Sequence, residues 1–509
     1  MLKNNKILAF DKLKIQIEKL KKRKKKIVLC HGVFDLFHQG HIEHLVEAKK
    51  QGDILVVTLT SDQFVKKGPG RPLFNIKQRL EHLSCINIVD FVAENLWPTA
   101  IETIKILKPN LYVKGPDYKN EKEDETKNIL KEKLAVKKVN AKIFYTSGST
   151  LSSSNIINNN INFRNENEKK YLEKLKKKYS FQDIEKRIEK INKLKVLLIG
   201  DAIIDEYIFS EVTGKSSKDP VLVAKENNRV RYIGGILSMA KLISNFVKKT
   251  TLITSLGNNK DDLKFIKKNL GKKIDPKFII KKNSPTVNKI RIIDEYSKKK
   301  LLGLYKYENK KHSKIESKKI LEYFKNKKKD INQILVTDFG HGMINKELIQ
   351  KISNFKIFKS LNAQLNSSNQ SDFRFDKYKK TNLLILNIGE LRRELREENQ
   401  SIFYMAKKMR KKIQCNYMVV TLGNKGSYLI NFKKNNIIFC PPFGRKVIDN
   451  IGAGDVMHSI ISICLNSKIE EDLSLFISSV AAASSVENLG NSNIITKMGL
   501  LRSIKYLLK

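Results

Sequence analysis

Short apolar runs alternate with segments of helical spacing along the first third of the chain, and this alternation restricts the fold more than any other feature. Residues 27–30, 54–59, 89–92 and 111–113 read as strands; residues 42–51, 77–86 and 99–107 read as helices. Strands that are apolar throughout, separated by helices, imply a parallel sheet covered on both faces by its crossovers. The pattern stops at 161–193, which is polar but carries Tyr171, Leu172, Leu175 and Ile184, Ile188, Ile191 at helical spacing, predicting a connector with one or two amphipathic helices. It resumes at 195–199, and residues 335–338, 383–386 and 417–421 read as further parallel core strands. Residues 207–230 and 288–307 read as strand-rich excursions, and 447–465 as a turn entering a helix. The expectation is an α/β protein with domains at 1–160 and 194–509, joined by a helical linker at 161–193.

Composition excludes several classes. The 509 residues hold 99 Lys and Arg against 52 Asp and Glu, a formal charge of +47. Such a field attracts phosphate-bearing molecules, but the lysines are spread over the whole chain and no basic motif interleaved with aromatics occurs, so no specific nucleic-acid partner is expected. No apolar run approaches the ~20 residues that span a bilayer, and the basic start is not followed by an apolar segment with a small-residue cleavage site, so neither membrane nor signal peptide is expected. Cys30, Cys85, Cys415, Cys440 and Cys464 are scattered, odd in number and free of any C-x-x-C pair. That argues against a structural zinc site or a disulfide framework, and for a reducing cytoplasm.

Two segments carry chemistry. The first runs Cys30-His31-Gly32-Val33-Phe34-Asp35-Leu36-Phe37-His38-Gln39-Gly40-His41, between a strand and a helix. Gly32 permits close backbone approach to a triphosphate. The helix start offers N–H groups and a positive dipole end. His38 and His41, three apart, share a face of the first turn, where imidazoles can donate to an α-phosphate as charge develops. A zinc cluster of His38, His41 and His44 lacks a carboxylate or thiolate at matching spacing; a helix-start structural role suits His44. The second segment is Asp449-Asn450-Ile451-Gly452-Ala453-Gly454-Asp455, before an apolar helix. Its glycines can turn N–H groups toward an anion, and Asp455 can deprotonate a hydroxyl that attacks a γ-phosphate.

The first segment resembles the H-x-G-H signature of cytidylyltransferase-like nucleotidyltransferases. Other pieces over 27–160 resemble the same family: Lys66 after the second strand, Arg71-Pro72, Gln78-Arg79, Val113-Lys114-Gly115-Pro116-Asp117-Tyr118, and the Ser152-Ser153-Ser154-Asn155 turn. The resemblance implies that Gly32 and Phe34 line the phosphate loop, that His38 and His41 stabilise the transition state, and that Lys66 binds phosphates. It further implies that Arg79, Gly115, Asp117, Ser153 and Ser154 frame the nucleotide. The terminal helix start lacks the arginine that several cytidylyltransferases carry, which leans toward sugar-phosphate adenylyltransferases.

From about Leu194 onward the chain resembles the ribokinase-like carbohydrate kinases, whose D-T-x-G-A-G-D signature matches 449–455 with Asn450 for threonine. The resemblance implies an acceptor site at Asp205, Gly234, Gly235 and Asp338. It implies a nucleotide site at Asn387, Glu390, Gly423, Gly426, Gly452, Ala453 and Gly454, with Asp455 catalytic. The acceptor end departs: Ile236-Leu237-Ser238 follows the double glycine, Ser360-Leu361-Asn362-Ala363-Gln364 stands where heptose-phosphate kinases carry I-D-P-K-G, and His341 stands where a lysine is common.

Together the two halves resemble bifunctional heptose-phosphate kinase/adenylyltransferases with the domain order reversed. The implied fold is an N-terminal Rossmann-like nucleotidyltransferase domain and a C-terminal ribokinase-like α/β domain with a β lid. The implied function is a sugar-phosphate kinase joined to a sugar-1-phosphate nucleotidyltransferase making an activated sugar such as ADP-heptose for surface glycans; the alternative is a nucleotidyltransferase with a silent kinase fold and a sugar- or alcohol-phosphate acceptor. ATP, with CTP as the other candidate, and a sugar phosphate are the implied substrates. Magnesium would arrive with the nucleotide, no dedicated metal cage is expected, and the lid-like strands make a homodimer one expectation.

Overall fold

The computed structural model describes residues 5–65, 70–118, 129–147, 165–282, 284–308, 313–327, 330–364, 375–445 and 447–508. The chain divides into two compact units, residues 1–165 with 505–509, and residues 166–504.

The first unit is a Rossmann-like sheet. Its strands are β1 (Ile27–Gly32), β2 (Ile54–Thr60), β3 (Phe91–Asn95), β4 (Leu111–Lys114) and β5 (Lys142–Tyr145), in the order β3-β2-β1-β4-β5 and all parallel. Side chains alternate across each strand, so Ile27 and Leu29 enter one core with Leu13, Ile17 and Ile104, while Val28 and Cys30 enter another with Leu45 and Leu83. Burial on both faces is why these strands read as continuous apolar runs. The third strand begins two residues later than the apolar run 89–92 indicates. Val89 N donates to Ile86 O at 3.1 Å, and Asp90 Oδ2 accepts from Leu55 N at 2.6 Å, so this pair closes a turn before sheet pairing starts at Phe91.

The second unit is a ribokinase-like α/β domain. In chain order its strands are β6 (Lys195–Gly200), β7 (Ala202–Lys215), β8 (Leu222–Gly235), β9 (Lys249–Leu256), β10 (Ile274–Ile280), β11 (Val287–Asp294), β12 (Lys300–Lys306), β13 (Gln333–Asp338), β14 (Phe358–Ala363), β15 (Leu383–Asn387), β16 (Tyr417–Thr421), β17 (Ser427–Asn431) and β18 (Asn436–Cys440). The main sheet has the order β10-β9-β6-β13-β14-β15-β16-β17-β18, parallel except for β17, which runs antiparallel to both of its neighbours. The excursions form a separate four-stranded lid, β12-β11-β7-β8. Its outer half leaves Leu222, Leu302 and Leu304 exposed.

Residues 166–193, read as a linker, belong to the second unit. Helices Glu166–Lys178 and Phe181–Lys190 bury Leu172, Leu175, Ile184 and Ile188. Tyr171 packs 6.2 Å from Phe443, and Tyr179 Oη donates to Asp472 at 2.8 Å. Their amphipathic stripes have found a partner surface, which a solvated linker would not require.

Candidate active sites

In the first unit, β2 and β4 lie on opposite sides of β1, so the order reverses between β1 and β4. A crevice opens beyond the carboxyl ends of parallel strands at such a reversal. Gly32 ends β1 and Gly115 follows β4, so the two expected nucleotide-site glycines stand on the strands that flank it. His38 caps helix Gln39–Lys49 and His41 lies in its first turn. Their rings stack with centroids 3.9 Å apart, and His41 is backed by Phe34 at 5.0 Å and Phe37 at 5.6 Å. The aromatic backing fixes two imidazoles at a helix N-terminus, where an anion is favoured.

The loop between β1 and this helix is clasped from below. Asp35, 1% exposed, accepts from Leu73 N at 2.7 Å and Phe74 N at 3.2 Å, and pairs with Arg71 at 3.0 Å. Arg79, expected to frame the nucleotide, is wholly buried instead. It donates to Val33 O at 2.6 Å, Thr60 O at 2.8 Å, Phe74 O at 3.0 Å and Asp62 Oδ1 at 2.6 Å. Its guanidinium is spent on backbone carbonyls of three segments, so it positions the loop rather than reaching a ligand. Nothing local in the chain marks Asp35 as a second tie of this loop, because Arg71, Leu73 and Phe74, which it binds, lie more than thirty residues away.

His31 and His44 remain neutral. Burial, reinforced by the Lys114 ammonium, pushes His31 down to about 3 and His44 to about 4. His31 bonds Thr58 and His44 bonds Thr146, each at 3.0 Å, so His44 has a structural partner. Lys66, the side chain of Asp117, Ser153 and Ser154 lie outside the described residues.

In the second unit the order reverses between β6 and β13, and the expected Asp338 ends β13. Asp201, directly after β6, accepts from the N–H groups of Phe339 (2.9 Å), His341 (3.3 Å) and Met343 (3.1 Å), and so shapes the turn after β13. Asp338, expected to contact the acceptor, is committed inward: it pairs with Lys377, accepts from Tyr378 Oη at 2.5 Å and from Gly340 N at 2.9 Å. Asp205 lies on lid strand β7, bonded to Arg291 at 2.7 Å. A Cβ on Gly234 would stand 2.0 Å from Asp205 Oδ2, so only glycine lets the carboxylate keep this position.

Asp455 enters through helix Ala453–Asn466, which Gly452 starts at φ +85°. Asp455 is 8% exposed and its Oδ1 accepts no hydrogen bond among the described residues. Burial first, and the nearby Asp205 charge second, raise its carboxyl to about 7 against the pull of Lys289. A buried carboxyl poised near neutrality fits a general base. Asp449, the first residue of the same segment, accepts from Tyr207 Oη at 2.8 Å and Gly490 N at 3.1 Å, and pairs with Lys300 at 2.6 Å, anchoring the turn.

Lys289 was not singled out in the sequence. It lies opposite Asp205 in the β11–β7 register, with the Tyr305 and Phe339 rings at 5.6 and 5.7 Å. The available signal was two cations two residues apart, Lys289 and Arg291, on one face of β11.

Asn387 and Glu390 form a reciprocal helix cap, each contact 2.8 Å. Burial raises Glu390 to about 7, with the Asp455 charge adding to the rise. Its Oε2 is used by the Asn387 N–H, which leaves Oε1 as an oxygen donor. One such oxygen, with nucleotide phosphates and water, suits magnesium, which keeps much of its hydration. Gly423 and Gly426 occupy the turn after β16, beside Asn387 at the end of neighbouring β15.

Residues 193–497 match the pfkB family carbohydrate kinases. The chain belongs to that family. Residues 29–159 match the cytidylyltransferase-like family, so a nucleotidyltransferase-like unit precedes the pfkB carbohydrate kinase unit. Relatives named bifunctional protein HldE match in parts: that of Koribacter versatilis is 23% identical over 303 residues, 59% of this chain and 61% of the relative. That of Helicobacter pylori is 44% identical over 117 residues, 23% of this chain and 25% of the relative. Each match spans less than two thirds of the relative. The crystal structure of phosphofructokinase-2 from Escherichia coli in complex with potassium superposes with a TM-score of 0.50 and 14% identity, over 62% of this chain and all of that one, a likeness of fold. Among the described residues no helix is long and apolar enough to cross a membrane.

Proposed function

We propose that the chain is a bifunctional enzyme that phosphorylates a sugar phosphate in its pfkB unit and, in its first unit, transfers a nucleotidyl group, adenylyl by preference, to a sugar 1-phosphate. The observation that carries the reading is Asp455: a buried carboxyl raised to about 7, unbonded at Oδ1, at a helix start behind a glycine turn. In the kinase step Asp455 takes the proton of the acceptor hydroxyl, whose oxygen attacks the γ-phosphate of ATP while ADP leaves. The N–H groups of Ala453 and Gly454 face the transferred anion, and Asp205, held by Arg291, orients the acceptor. Magnesium, held near Glu390, would neutralise phosphate charge.

In the first unit the acceptor phosphate oxygen attacks the α-phosphate of the nucleotide and pyrophosphate leaves. His38 and His41 donate to the α-phosphate, and Asp35 and Arg79 keep the loop in place. The product is an NDP-activated sugar of the ADP-heptose type, suited to surface glycan assembly. A second copy of the chain covers the exposed Leu222, Leu302 and Leu304 of the lid as a homodimer.

The test is pyrophosphate release from purified protein with ATP and CTP, each against a panel of sugar 1-phosphates including heptose 1-phosphate, with His41→Ala as control. Turnover with one pair supports the reading and identifies both substrates. No turnover with any pair overturns the nucleotidyl-transfer half.

A further inference from the structure

Helix Ile402–Lys412 treats its cations in two ways. Lys408 pairs with Glu397, and Lys412 pairs with Glu394 at 2.7 Å. Lys407, Arg410 and Lys411 form no ion pair among the described residues, although charges three and four apart on a helix repel. With Lys380, Gln414 and Asn416 these three line a cavity of about 600 Å³, and no carboxylate is among its lining residues. In a chain with one acidic residue for every two basic ones, the paired lysines on the same helix are the internal control: acids are present where cations need neutralising, and none lines the cavity.

Arg410 is set in advance. Its Nε donates to Cys415 O at 3.2 Å and its guanidinium lies 4.8 Å over the Phe432 ring. Its two Nη groups have no acceptor among the described residues, so a fixed planar fork faces the cavity, the geometry that reads phosphate oxygens in pairs. Lys380 precedes β15, and Gln414 and Asn416 precede β16. The cavity therefore opens at the amino edge of the sheet, while Asn387 and Gly423 mark the carboxyl edge, about 17 Å away along a five-residue strand.

We propose that this cavity is a second anion site of the pfkB unit that binds a diphosphate group, as inorganic pyrophosphate or as the phosphate chain of a nucleotide, apart from that unit's catalytic crevice. Its volume suits a small ligand rather than a polymer. The test is equilibrium dialysis of the full chain at physiological salt, with labelled pyrophosphate in one arm and a non-hydrolysable ATP analogue in the other. The expected result is that the double variant Lys407→Glu/Arg410→Glu loses one site per chain, or weakens it at least about tenfold. The milder Lys407→Gln/Arg410→Gln moves in the same direction, and Lys408→Glu/Lys412→Glu leaves binding unchanged. Pyrophosphate release and acceptor phosphorylation within twofold of wild type show that the variants are folded. Loss in only one arm identifies the source of the diphosphate. Identical binding in wild type and Lys407→Glu/Arg410→Glu overturns the proposal, as does equal weakening by Lys408→Glu/Lys412→Glu, which would reduce the effect to general surface charge.

Discussion

On the proposed function the two units solve the same problem, holding a nucleoside triphosphate beside an acceptor, with similar architecture and opposite chemistry. Each has a parallel core sheet whose order reverses beside a central strand, between β1 and β4 in one and between β6 and β13 in the other; Gly32 ends β1 and Gly115 follows β4, and Asp338 ends β13. In the first unit the reacting face is made of stacked imidazoles backed by aromatic rings, with the ionic groups Asp35, Arg71 and Arg79 beneath it. In the second it is made of carboxylates, Asp205, Asp455 and Glu390, offset by Lys289 and Arg291 on the lid. On that proposal the difference follows the bond made. Attack by an acceptor that is already an anionic phosphate needs no base, only donors to the α-phosphate; attack by a sugar hydroxyl needs a base. The fold provides the place, and the side chains at its edge select the reaction.

The largest expected effects separate the two units. His41→Ala lowers pyrophosphate release at least ~100-fold and leaves ATP-dependent phosphorylation of the acceptor intact; Asp455→Ala does the reverse, by ~10²–10⁴-fold. Parallel assays of both activities on both variants check this, and a variant that silences both activities would break the separation. Next is Arg79→Leu. Removing a wholly buried guanidinium leaves the carbonyls of Val33, Thr60 and Phe74 without their donor and costs at least about 1–3 kcal/mol, read as an earlier urea transition of the first unit while the second keeps its midpoint. Arg79→Lys recovers only part, because an ammonium cannot reach the same set of carbonyls.

Gly234→Ala tests the acceptor end. The added methyl displaces Asp205 from its position against Arg291, so KM for the acceptor rises roughly tenfold or more while KM for ATP stays within about twofold. The pH profile sharpens the contrast further. With Asp455 raised to about 7, phosphorylation climbs with pH through about 7 and falls roughly tenfold per unit below it, and Asp455 adds no such step to pyrophosphate release. The smallest effect is on stability. Between the usual carboxylate range and about 7 the folded state holds a proton on Asp455 that the unfolded chain has released, so stability declines as pH rises through that window. Glu390, also raised to about 7, acts with the same sign. Asp455→Asn removes its share of the slope and unfolds at a higher temperature than wild type above pH 7, measured by thermal melts at pH 5 and pH 8.

Much of this was legible along the chain, and the exceptions share a cause. The strand at 89–92 starts late because Val89 and Asp90 make a turn whose partner, Leu55, is 35 residues earlier. The segment 161–193 reads as a linker, since nothing local tells that Tyr171 and Tyr179 meet Phe443 and Asp472. Arg79 and Asp338 carry the right residue types near the right glycines, yet the fold commits both to internal bonds.

The sequence alone determined the two parallel sheets, since a strand buried on both faces must be apolar throughout and its crossovers must alternate with it. It also determined the two glycine-flanked helix starts, where backbone freedom and side chain lie within a few residues. Only the tertiary structure decided which charged groups face a ligand and which are consumed inside: Arg79 and Asp338 turned inward, Lys289 brought opposite Asp205, and Asp455 lifted to about 7. The reason is physical. Periodicity and turn chemistry are local, whereas desolvation and charge pairing depend on which residues folding brings into the same few ångströms.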